Sequence, residues 1–204
     1  MNTEYGYYDG KHINLFMLKN ILKDIIKPII YKIIIFKHKN IWNVREYMIK
    51  NNKTSGMYMS FYINYFNKRN SYIGINAKFK NKPYFPHGFS NIFISDNAKI
   101  WKNAVIFQGV TIDSNTLNDT KSNGSPTLKD NVYIGAGAKI IGNITVGNNV
   151  RIGANAIVIE NVDDNCVVVL EKPRIIVKKN LDNRFIKEIN NEKYYYKDEK
   201  FHKL

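Results

Sequence analysis

A six-residue period between Ile94 and Ile159 is the strongest constraint on how this chain can fold. Written in rows of six, the sequence places an aliphatic residue first in every row: Ile94, Ile100, Ile106, Leu128, Ile134, Ile140, Val146 and Ile152. The fourth place holds only Asn or Gly: Asn97, Asn103, Gly109, Asn131, Gly137, Asn143, Asn149 and Asn155. These two residue types enter the left-handed backbone region most readily. The pattern therefore predicts a chain that turns a corner at every sixth residue.

The period predicts an all-β solenoid, a parallel β-helix in which three rows make one coil. Each row supplies a short strand whose first residue points inward, and the aliphatic side chains of successive coils stack in columns. One coil alone would leave these side chains exposed, so its stability depends on the neighbouring coils. An ordinary sheet with evenly spaced strands is the weaker alternative, because eight rows keep the same phase. The period does not decide the handedness of the coil.

The N-terminal segment, residues 1–72, is basic and mainly helical in its pattern. It contains twelve Lys or Arg and four Asp or Glu, so it carries +8 of the chain's net charge of +14. From Leu15 to Ile29 apolar residues keep helical spacing, and lysines interrupt every apolar run. This pattern predicts a basic amphipathic helix, kinked or broken near Pro28. The helix could lie on an anionic membrane surface, or pack against the solenoid or a neighbouring subunit. A second packed helix is expected around residues 58–66.

Composition narrows the class of protein. The basic charge alone does not indicate nucleic-acid binding, because no recognition motif accompanies it. No run of about 20 apolar residues is free of charge, which argues against a transmembrane helix, and no signal peptide is recognisable. The single cysteine, Cys166, excludes an internal disulfide and suits a reducing compartment. We therefore expect a cytoplasmic protein that could make peripheral contact with a membrane and does not bind nucleic acid.

His87 lies where the regular rows break down. The rows 73–78 and 79–84 are imperfect, and the next one has Gly88 at its corner and three extra residues before Ile94. An uncharged imidazole can remove a proton from an attacking hydroxyl near neutral pH, so His87 is a candidate general base. The spacing is also compatible with a structural histidine.

A long loop and a tryptophan are the other irregularities of the solenoid. Sixteen residues separate Ile112 from Leu128 where six are expected, and loop 113–127 holds the ten extra residues. Such loops leave a solenoid on one face and often close over ligands, although this one could also be a tolerated surface loop. Trp101 occupies an outward place where Gly is frequent, and it could stack on a sugar or line a subunit contact.

Three stretches of the sequence carry a resemblance to a known family: HGFSNIFISDNAKI, IFQGVTI and PTLKDNVYIGAGAKIIGNITVGNNVRIGANAIV. With a degenerate closing segment around Lys172, Pro173, Arg174 and Ile176, the run from His87 resembles the hexapeptide-repeat acyltransferases. It is most similar to their serine acetyltransferase-like branch, which includes many capsule and surface-polysaccharide O-acetyltransferases. The resemblance implies a left-handed β-helix, a homotrimer, and acetyl-CoA bound in clefts between adjacent subunits, without a metal.

The resemblance also assigns roles by position. His87 matches the catalytic histidine, which deprotonates the acceptor hydroxyl as that hydroxyl attacks the thioester. Ala136 and Ala154 match small residues whose backbone groups bind the pantetheine arm of CoA. Arg151 and the basic closing segment are plausible partners for CoA phosphates. Three further residues match the rows that line the same cleft: Gln108, Gly109 and Thr111.

Three departures from the family argue against L-serine as the acceptor. Tyr72 stands where serine acetyltransferases have the carboxylate that orients the histidine, Pro86 replaces an aspartate, and Ser125 replaces a second histidine. We therefore expect the acceptor to be a saccharide of a bacterial surface or capsular glycan, with Trp101 and Ser125 as substrate-binding residues. In the absence of the carboxylate, Tyr72 or a main-chain carbonyl would orient His87.

Other functions remain open at this point. Serine O-acetyltransferase is the alternative enzyme, and a non-catalytic trimeric scaffold is the alternative from a different class. A metal hydratase would need several histidines at one metal, whereas His87 is the only histidine between residues 39 and 201. We predict a helical segment at 1–72, an acyltransferase β-helix at 73–176, and a C-terminal tail at 177–204 that forms a short helix.

Overall fold

The computed structural model describes residues 15–172, 175–179 and 182–204. Residues 1–14 of the predicted helical segment, and Pro173 and Arg174 of the predicted closing segment, lie outside this range. The chain forms two compact units, Met1–Leu170 and Glu171–Leu204. The segment boundaries expected at 72 and 176 stay predictions.

Short parallel strands build the solenoid. They stack in three sheets, which we call face 1 (β1, β3, β6, β9, β12), face 2 (β2, β4, β7, β10) and face 3 (β5, β8, β11, β13). Successive strands from β3 onward fall on different faces, so the chain completes one coil in three strands. The strands are β1 (Tyr72–Ile73), β2 (Lys78–Phe79), β3 (Phe93–Ile94), β4 (Lys99–Ile100), β5 (Val105–Ile106), β6 (Thr111–Asp113), β7 (Thr127–Leu128), β8 (Tyr133–Ile134), β9 (Lys139–Ile141), β10 (Thr145–Val146), β11 (Arg151–Ile152), β12 (Ile157–Val158) and β13 (Val167–Val168).

The rows of six coincide with the sides of the coil. All first-place and fifth-place residues of the eight rows are buried. Six of the eight fourth-place residues have a positive φ, as predicted. The exceptions are Asn97 and Asn143, which both lie between face 1 and face 2, and Gly142 takes a positive φ of 96° beside the second exception. The corner rule therefore holds at two of the three corners.

One corner is reinforced by a ladder of asparagine side chains between face 2 and face 3. Each Nδ2 donates to the Oδ1 of the next residue over 3.0 to 3.2 Å. Because each bond joins two coils, the ladder links the whole height of this corner. We call it the asparagine ladder, and its members are Asn81, Asn103, Asn131, Asn149 and Asn165.

Three helices precede the solenoid: α1 (Leu15–His38), α2 (Ile41–Lys50) and α3 (Gly56–Asn67). The sequence predicts a helix kinked or broken near Pro28, and α1 continues through Pro28 without a break. Asn40 begins α2 by accepting a hydrogen bond from the Asn43 N–H at 3.0 Å. The hydroxyl groups of Tyr31 and Ser60 lie 2.8 Å apart and link α1 to α3. In the part of the chain that the structure describes, no helix is long and apolar enough to cross a membrane.

The helices cover the open N-terminal end of the solenoid core. The Trp42 ring of α2 packs edge-on against Phe79 of β2, with the centroids 4.9 Å apart. The buried Arg45 guanidinium donates to the carbonyl oxygens of Ile75 and Ala77 in the first coil. These contacts bury the first coil, so α2 packs on the solenoid. The sequence prediction concerned α1, and it is not tested by the packing of α2.

The C-terminal unit is a small antiparallel sheet, so the expected helical tail is wrong. Its strands are β14 (Ile186–Ile189), β15 (Glu192–Lys197) and β16 (Lys200–Lys203). Two-residue turns at 190–191 and 198–199 join them, and all four turn residues have a positive φ. Such turns match the twist of a hairpin. The asparagine pair, followed by tyrosines that favour strands, was the signal for this sheet.

Candidate active site

The predicted site residues are distributed over the three corners of the coil. The corner between face 3 and face 1 carries His87, Gln108, Gly109, Ala136 and Ala154, and we call it the His87 corner. The corner between face 1 and face 2 carries loop 113–127. The corner between face 2 and face 3 carries Trp101 and the asparagine ladder. The catalytic and most of the cofactor-binding predictions therefore meet on one edge of the solenoid.

The turn that carries His87 is fixed by its own residues. The Gly88 N–H donates to the Phe85 carbonyl oxygen over 3.1 Å, which makes residues 85–88 a β-turn with Pro86 second and His87 third. Pro suits the second place because its φ is already fixed, and Gly88 has a positive φ of 67°. The His87 side chain is exposed.

The three extra residues after this turn are tied to the helices. The Phe89 ring packs against Phe66 of α3 at 5.2 Å and against Phe85 at 4.7 Å. The buried Ser71 hydroxyl lies within hydrogen-bond reach of the Phe89 carbonyl and accepts the Ile92 N–H over 3.0 Å. Helix α3 therefore sets the position of the His87 turn, which the rows alone could not predict.

The neighbours of the imidazole are aromatic. The His87 and Phe107 rings meet edge-on with their centroids 5.6 Å apart, and the Phe107 and Tyr133 ring centroids are 5.2 Å apart. Phe107 is a contact that the sequence did not single out. Among the described residues, no side chain or carbonyl makes a hydrogen bond with the His87 ring. The single chain therefore presents an imidazole that is positioned by packing.

Tyr72 does not orient His87 in this chain, so that interpretation is wrong. Its hydroxyl donates a hydrogen bond to Asp96, which follows β3 at the corner between face 1 and face 2. Burial, and then the hydrogen bond to the Asp96 carboxylate, raises the pKa of Tyr72 to about 12. The other Asp96 oxygen accepts the Asn76 N–H over 3.1 Å. The pair therefore joins the first two coils on another edge.

The turns of the His87 corner stack through their backbone. The Gly137 N–H donates to the Gln108 carbonyl over 2.9 Å, and the Asn155 N–H donates to the Ala136 carbonyl over 2.8 Å. By contrast, in the described chain the N–H groups of Gln108, Ala136 and Ala154 have no hydrogen-bond acceptor. These three donors lie in equivalent places of successive turns. They form a column that could bind the amide carbonyls of an extended ligand.

Small residues let the turns of this column stack closely. A Cβ added at Gly135 would lie 2.7 Å from the Ala154 nitrogen, so no larger residue fits between the two turns. The side-chain Oε1 of Gln108 is buried without a hydrogen-bond partner in the described residues. A buried unpaired acceptor is costly unless a ligand or water donates to it. These observations fit the pantetheine arm of CoA, which carries amide N–H and C=O groups.

Other charged and polar residues flank the corner. Thr111 and Lys139 are neighbours in register on face 1, and the Lys139 Nζ donates to the Gly109 carbonyl over 2.9 Å. The sequence did not single out Lys139, although its register with Thr111 was a usable signal. Arg151 begins β11 on face 3, three residues before Ala154, and its side chain is exposed. A cation therefore lies on each side of the donor column.

The two predicted acceptor-binding residues lie away from the His87 corner of the same chain. Trp101 is exposed, and the Lys80 Nζ lies 5.8 Å from its ring centroid. The Ser125 hydroxyl lies 2.6 Å from that of Ser114, which closes the base of loop 113–127. A contact of either residue with a substrate at His87 would need a second subunit. Their roles stay predictions, as do those of the closing segment, of which Pro173 and Arg174 are not described.

Comparisons with known proteins agree with this geometry. Residues 125–160 match the family described as bacterial transferase hexapeptide (six repeats). A serine acetyltransferase of Synechococcus elongatus is 38% identical over 98 residues, which are 48% of this chain and 39% of the relative. The chain resembles hexapeptide-repeat acyltransferases of the serine acetyltransferase-like branch. The resemblance inferred from the sequence is thus confirmed.

Solved structures extend the comparison to the fold. Serine acetyltransferase isoform 3 of Entamoeba histolytica, in complex with cysteine, has a TM-score of 0.58 at 26% identity, over 69% of this chain and 50% of that one. A serine acetyltransferase in complex with CoA has a TM-score of 0.53 at 28% identity, over 62% of this chain and 50% of that one. The solenoid is a left-handed parallel β-helix, as expected. The chain spans about half the length of these structures, and less of the curated relative.

Proposed function

We propose that this protein is an acetyl-CoA-dependent O-acetyltransferase with His87 as its general base. The observation that carries the proposal is the His87 corner, where an exposed imidazole lies on the same edge as a column of backbone N–H donors. The similarity to serine acetyltransferases, one of them in complex with CoA, supports the same activity.

The donor column is the part of the chain that would hold the co-substrate. The N–H groups of Ala136 and Ala154 would donate to amide carbonyls of the pantetheine arm, and the Gln108 Oε1 would accept an amide N–H from it. Arg151 and Lys139 would favour the negatively charged end of the nucleotide. Acetyl-CoA supplies the acetyl group as a thioester.

His87 would move one proton in the transfer. A ring nitrogen accepts the proton of the acceptor hydroxyl while the hydroxyl oxygen bonds to the acetyl carbonyl carbon. The bond from that carbon to sulfur then breaks, and the protonated imidazole returns the proton to the CoA thiolate. Packing against Phe107, rather than a carboxylate, would hold the ring in this chain.

L-serine is the acceptor that the comparisons favour, because the similar proteins are named serine acetyltransferases. A saccharide is the acceptor expected from the sequence, with serine O-acetyltransferase as the alternative function, and the comparisons favour that alternative. A saccharide hydroxyl stays as the second candidate on a specific observation. The position expected to hold an orienting carboxylate is Tyr72, and its hydroxyl is engaged by Asp96 instead.

Thiol release from acetyl-CoA tests the proposal, with L-serine and bacterial surface glycans as parallel acceptors. We expect acceptor-dependent release, and we expect His87→Ala to lower kcat by about 100-fold or more, because a general base contributes at least that factor. His38→Ala is the matched control, since His38 ends α1 and its ring contacts Tyr58 rather than the His87 corner. The acceptor that stimulates release identifies the substrate class.

Two outcomes would contradict the proposal. Release that is unchanged in His87→Ala would remove His87 from the reaction. If acetyl-CoA does not bind and no acceptor stimulates release, the solenoid is better explained as a non-catalytic scaffold. A homotrimer, with the cofactor between subunits, belongs to the same proposal and is tested by the mass of the protein in solution.

A further inference from the structure

Helix α1 exposes an apolar stripe that nothing in the described chain covers. Its inner side packs on the other helices through Ile34, which is buried. Its outer side shows five large apolar residues that are 45% to 89% exposed: Ile25, Ile26, Ile29, Ile33 and Phe36. At 3.6 residues per turn these five fall within a stripe about 100° wide. A contiguous apolar surface of this kind marks an interaction site.

Lysines border the stripe on both sides. On the same helical geometry Lys32 lies about 20° beyond one edge and Lys37 about 20° beyond the other. The sequence of α1 contains five lysines and a single acidic residue, Asp24. The apolar period also continues toward the N-terminus in the sequence, at Leu18 and Leu22. An apolar face with basic flanks is the pattern of a helix that lies in the interface of an anionic bilayer.

A basic groove runs beside the stripe, between α1 and α3. Its volume is about 830 Å³, and none of the described residues that line it is acidic. Three lysines contribute to its walls, one of them the Lys32 that borders the stripe. The other two are Lys27 and Lys68. Phosphate groups of lipids would lie at this depth if the stripe entered the acyl boundary, so the groove and the stripe fit the same partner.

We infer that the outer face of α1 docks this protein on an anionic membrane surface. The helix is about 36 Å long at 1.5 Å per residue, so it would lie parallel to the bilayer rather than across it. A second copy of the chain bound through a two-fold contact is a poorer fit. In an isologous contact the lysines that border one stripe would meet those of the other, without carboxylates between them. The inference does not depend on the proposed acetyl transfer.

Vesicle sedimentation with the full chain tests the inference. The probes are vesicles of phosphatidylcholine alone and vesicles that contain about one-third phosphatidylglycerol. We expect binding to the anionic vesicles only, weakened by added salt. Replacing both bordering lysines by glutamine, Lys32→Gln with Lys37→Gln, should weaken that binding by about 30-fold, because each lysine near the surface contributes about fivefold.

The apolar stripe is tested with Ile29→Ser and Ile33→Ser together. We expect vesicle binding to fall by about tenfold or more, because two side chains no longer enter the bilayer. The matched control replaces two equally exposed isoleucines of the solenoid, Ile157→Ser and Ile159→Ser, and should bind vesicles like the parent protein. Circular dichroism of each variant confirms that the helices are retained.

Three results would overturn the inference. One is the absence of binding to anionic vesicles by the parent protein. Another is equal binding to both kinds of vesicle, which would leave the lysines without a role. The third is a stripe variant that binds vesicles normally but sediments as a smaller species. That result would assign the stripe to a contact between copies of the chain.

Discussion

At the scale of single residues, the site depends on groups that fix backbone turns rather than on charged partners. Pro86 and Gly88 determine the turn that exposes His87, and Phe107 limits where its ring can lie. The family's aspartate before the histidine is absent, and the residue in its place suits the turn. Pro86 therefore contributes to the geometry of the turn.

Tyr72 provides a test of the contact between the first two coils through the pH dependence of stability. Its pKa of about 12 in the folded protein compares with 10.0 as its ordinary value. Because the folded-state pKa is raised, the stabilisation is present below pH 10 and is lost as the pH rises toward 12. We expect the free energy of unfolding of the parent protein to fall more steeply over this interval than that of Tyr72→Phe.

Urea denaturation at a series of pH values measures this difference. The subtraction matters because other groups, such as the buried Tyr62, titrate in both proteins. The buried phenol of Tyr62 donates to the Ile73 carbonyl over 3.0 Å, a contact that the substitution does not remove. Parallel curves for the two proteins from pH 10 to 12 would show that Tyr72 and Asp96 are not coupled in solution.

At the scale of elements, the asparagine ladder contributes to stability in two ways, through side-chain hydrogen bonds and through residues that adopt a positive φ. Asn131 has a φ of 61°, and its side chain bonds to Asn103 and Asn149. Asn131→Gly removes the side-chain bonds but keeps a residue that adopts this φ readily, and we expect a loss of about 1 kcal/mol. Asn131→Ala also places a Cβ in the left-handed region, and we expect a loss of about 2 kcal/mol or more.

The midpoint of urea unfolding measures both variants against the parent protein. Asn97, whose φ is not positive, offers the matched position, and Asn97→Ala should cost less than Asn131→Ala. If Asn131→Gly and Asn131→Ala are equally stable, the conformation of the corner residue does not matter. The asparagines at the fourth place of this one corner would then reflect the side-chain ladder alone.

The solenoid could be predicted from the sequence because its signal is local and repeated. Each row carries its own inward residue and its own corner residue, so one error does not shift the rest. The two fourth-place residues without a positive φ, Asn97 and Asn143, lie at the same corner as the long loop 113–127. The C-terminal sheet was missed because its signal occurs once, in two short turns without a repeat.

The site was predictable only in part for the same reason. The donor column at Ala136 and Ala154 follows from the register of the rows, whereas the partners of His87 come from distant elements. Phe66 of α3 packs against Phe89, just after the His87 turn. The six-residue period says nothing about a contact between a helix and this turn. Long-range packing of this kind is decided by how the helices meet the solenoid end.

At the scale of the whole molecule, the predicted site residues fall into three groups, one along each corner of the solenoid. His87 and Trp101 lie on different edges of the same chain, so one chain cannot bring both to one substrate. In a closed ring of identical subunits, however, one edge of a chain can face another edge of its neighbour. If Trp101 binds the acceptor, it therefore does so for the His87 of an adjacent subunit.

Mixed oligomers test this arrangement. We expect His87→Ala and Trp101→Ala each to lower activity when pure, and we expect activity to return when the two chains are co-expressed with different tags and purified as heteromers. Each site needs His87 from one subunit and Trp101 from the next. A trimer that contains both chains has both residues intact at one of its three sites, about one-third of the total. Two pure variants mixed after assembly are the control and should stay inactive.

The result separates three arrangements of the site. Recovery to about one-third of the parent activity supports a site shared between subunits. Heteromers that stay inactive would mean that both residues serve a site within one chain, against the positions of their corners. A fully active Trp101→Ala would remove Trp101 from the acceptor site. Because the folded solenoid keeps the two corners apart, recovery of activity in heteromers measures whether His87 of one subunit and Trp101 of the next form one site.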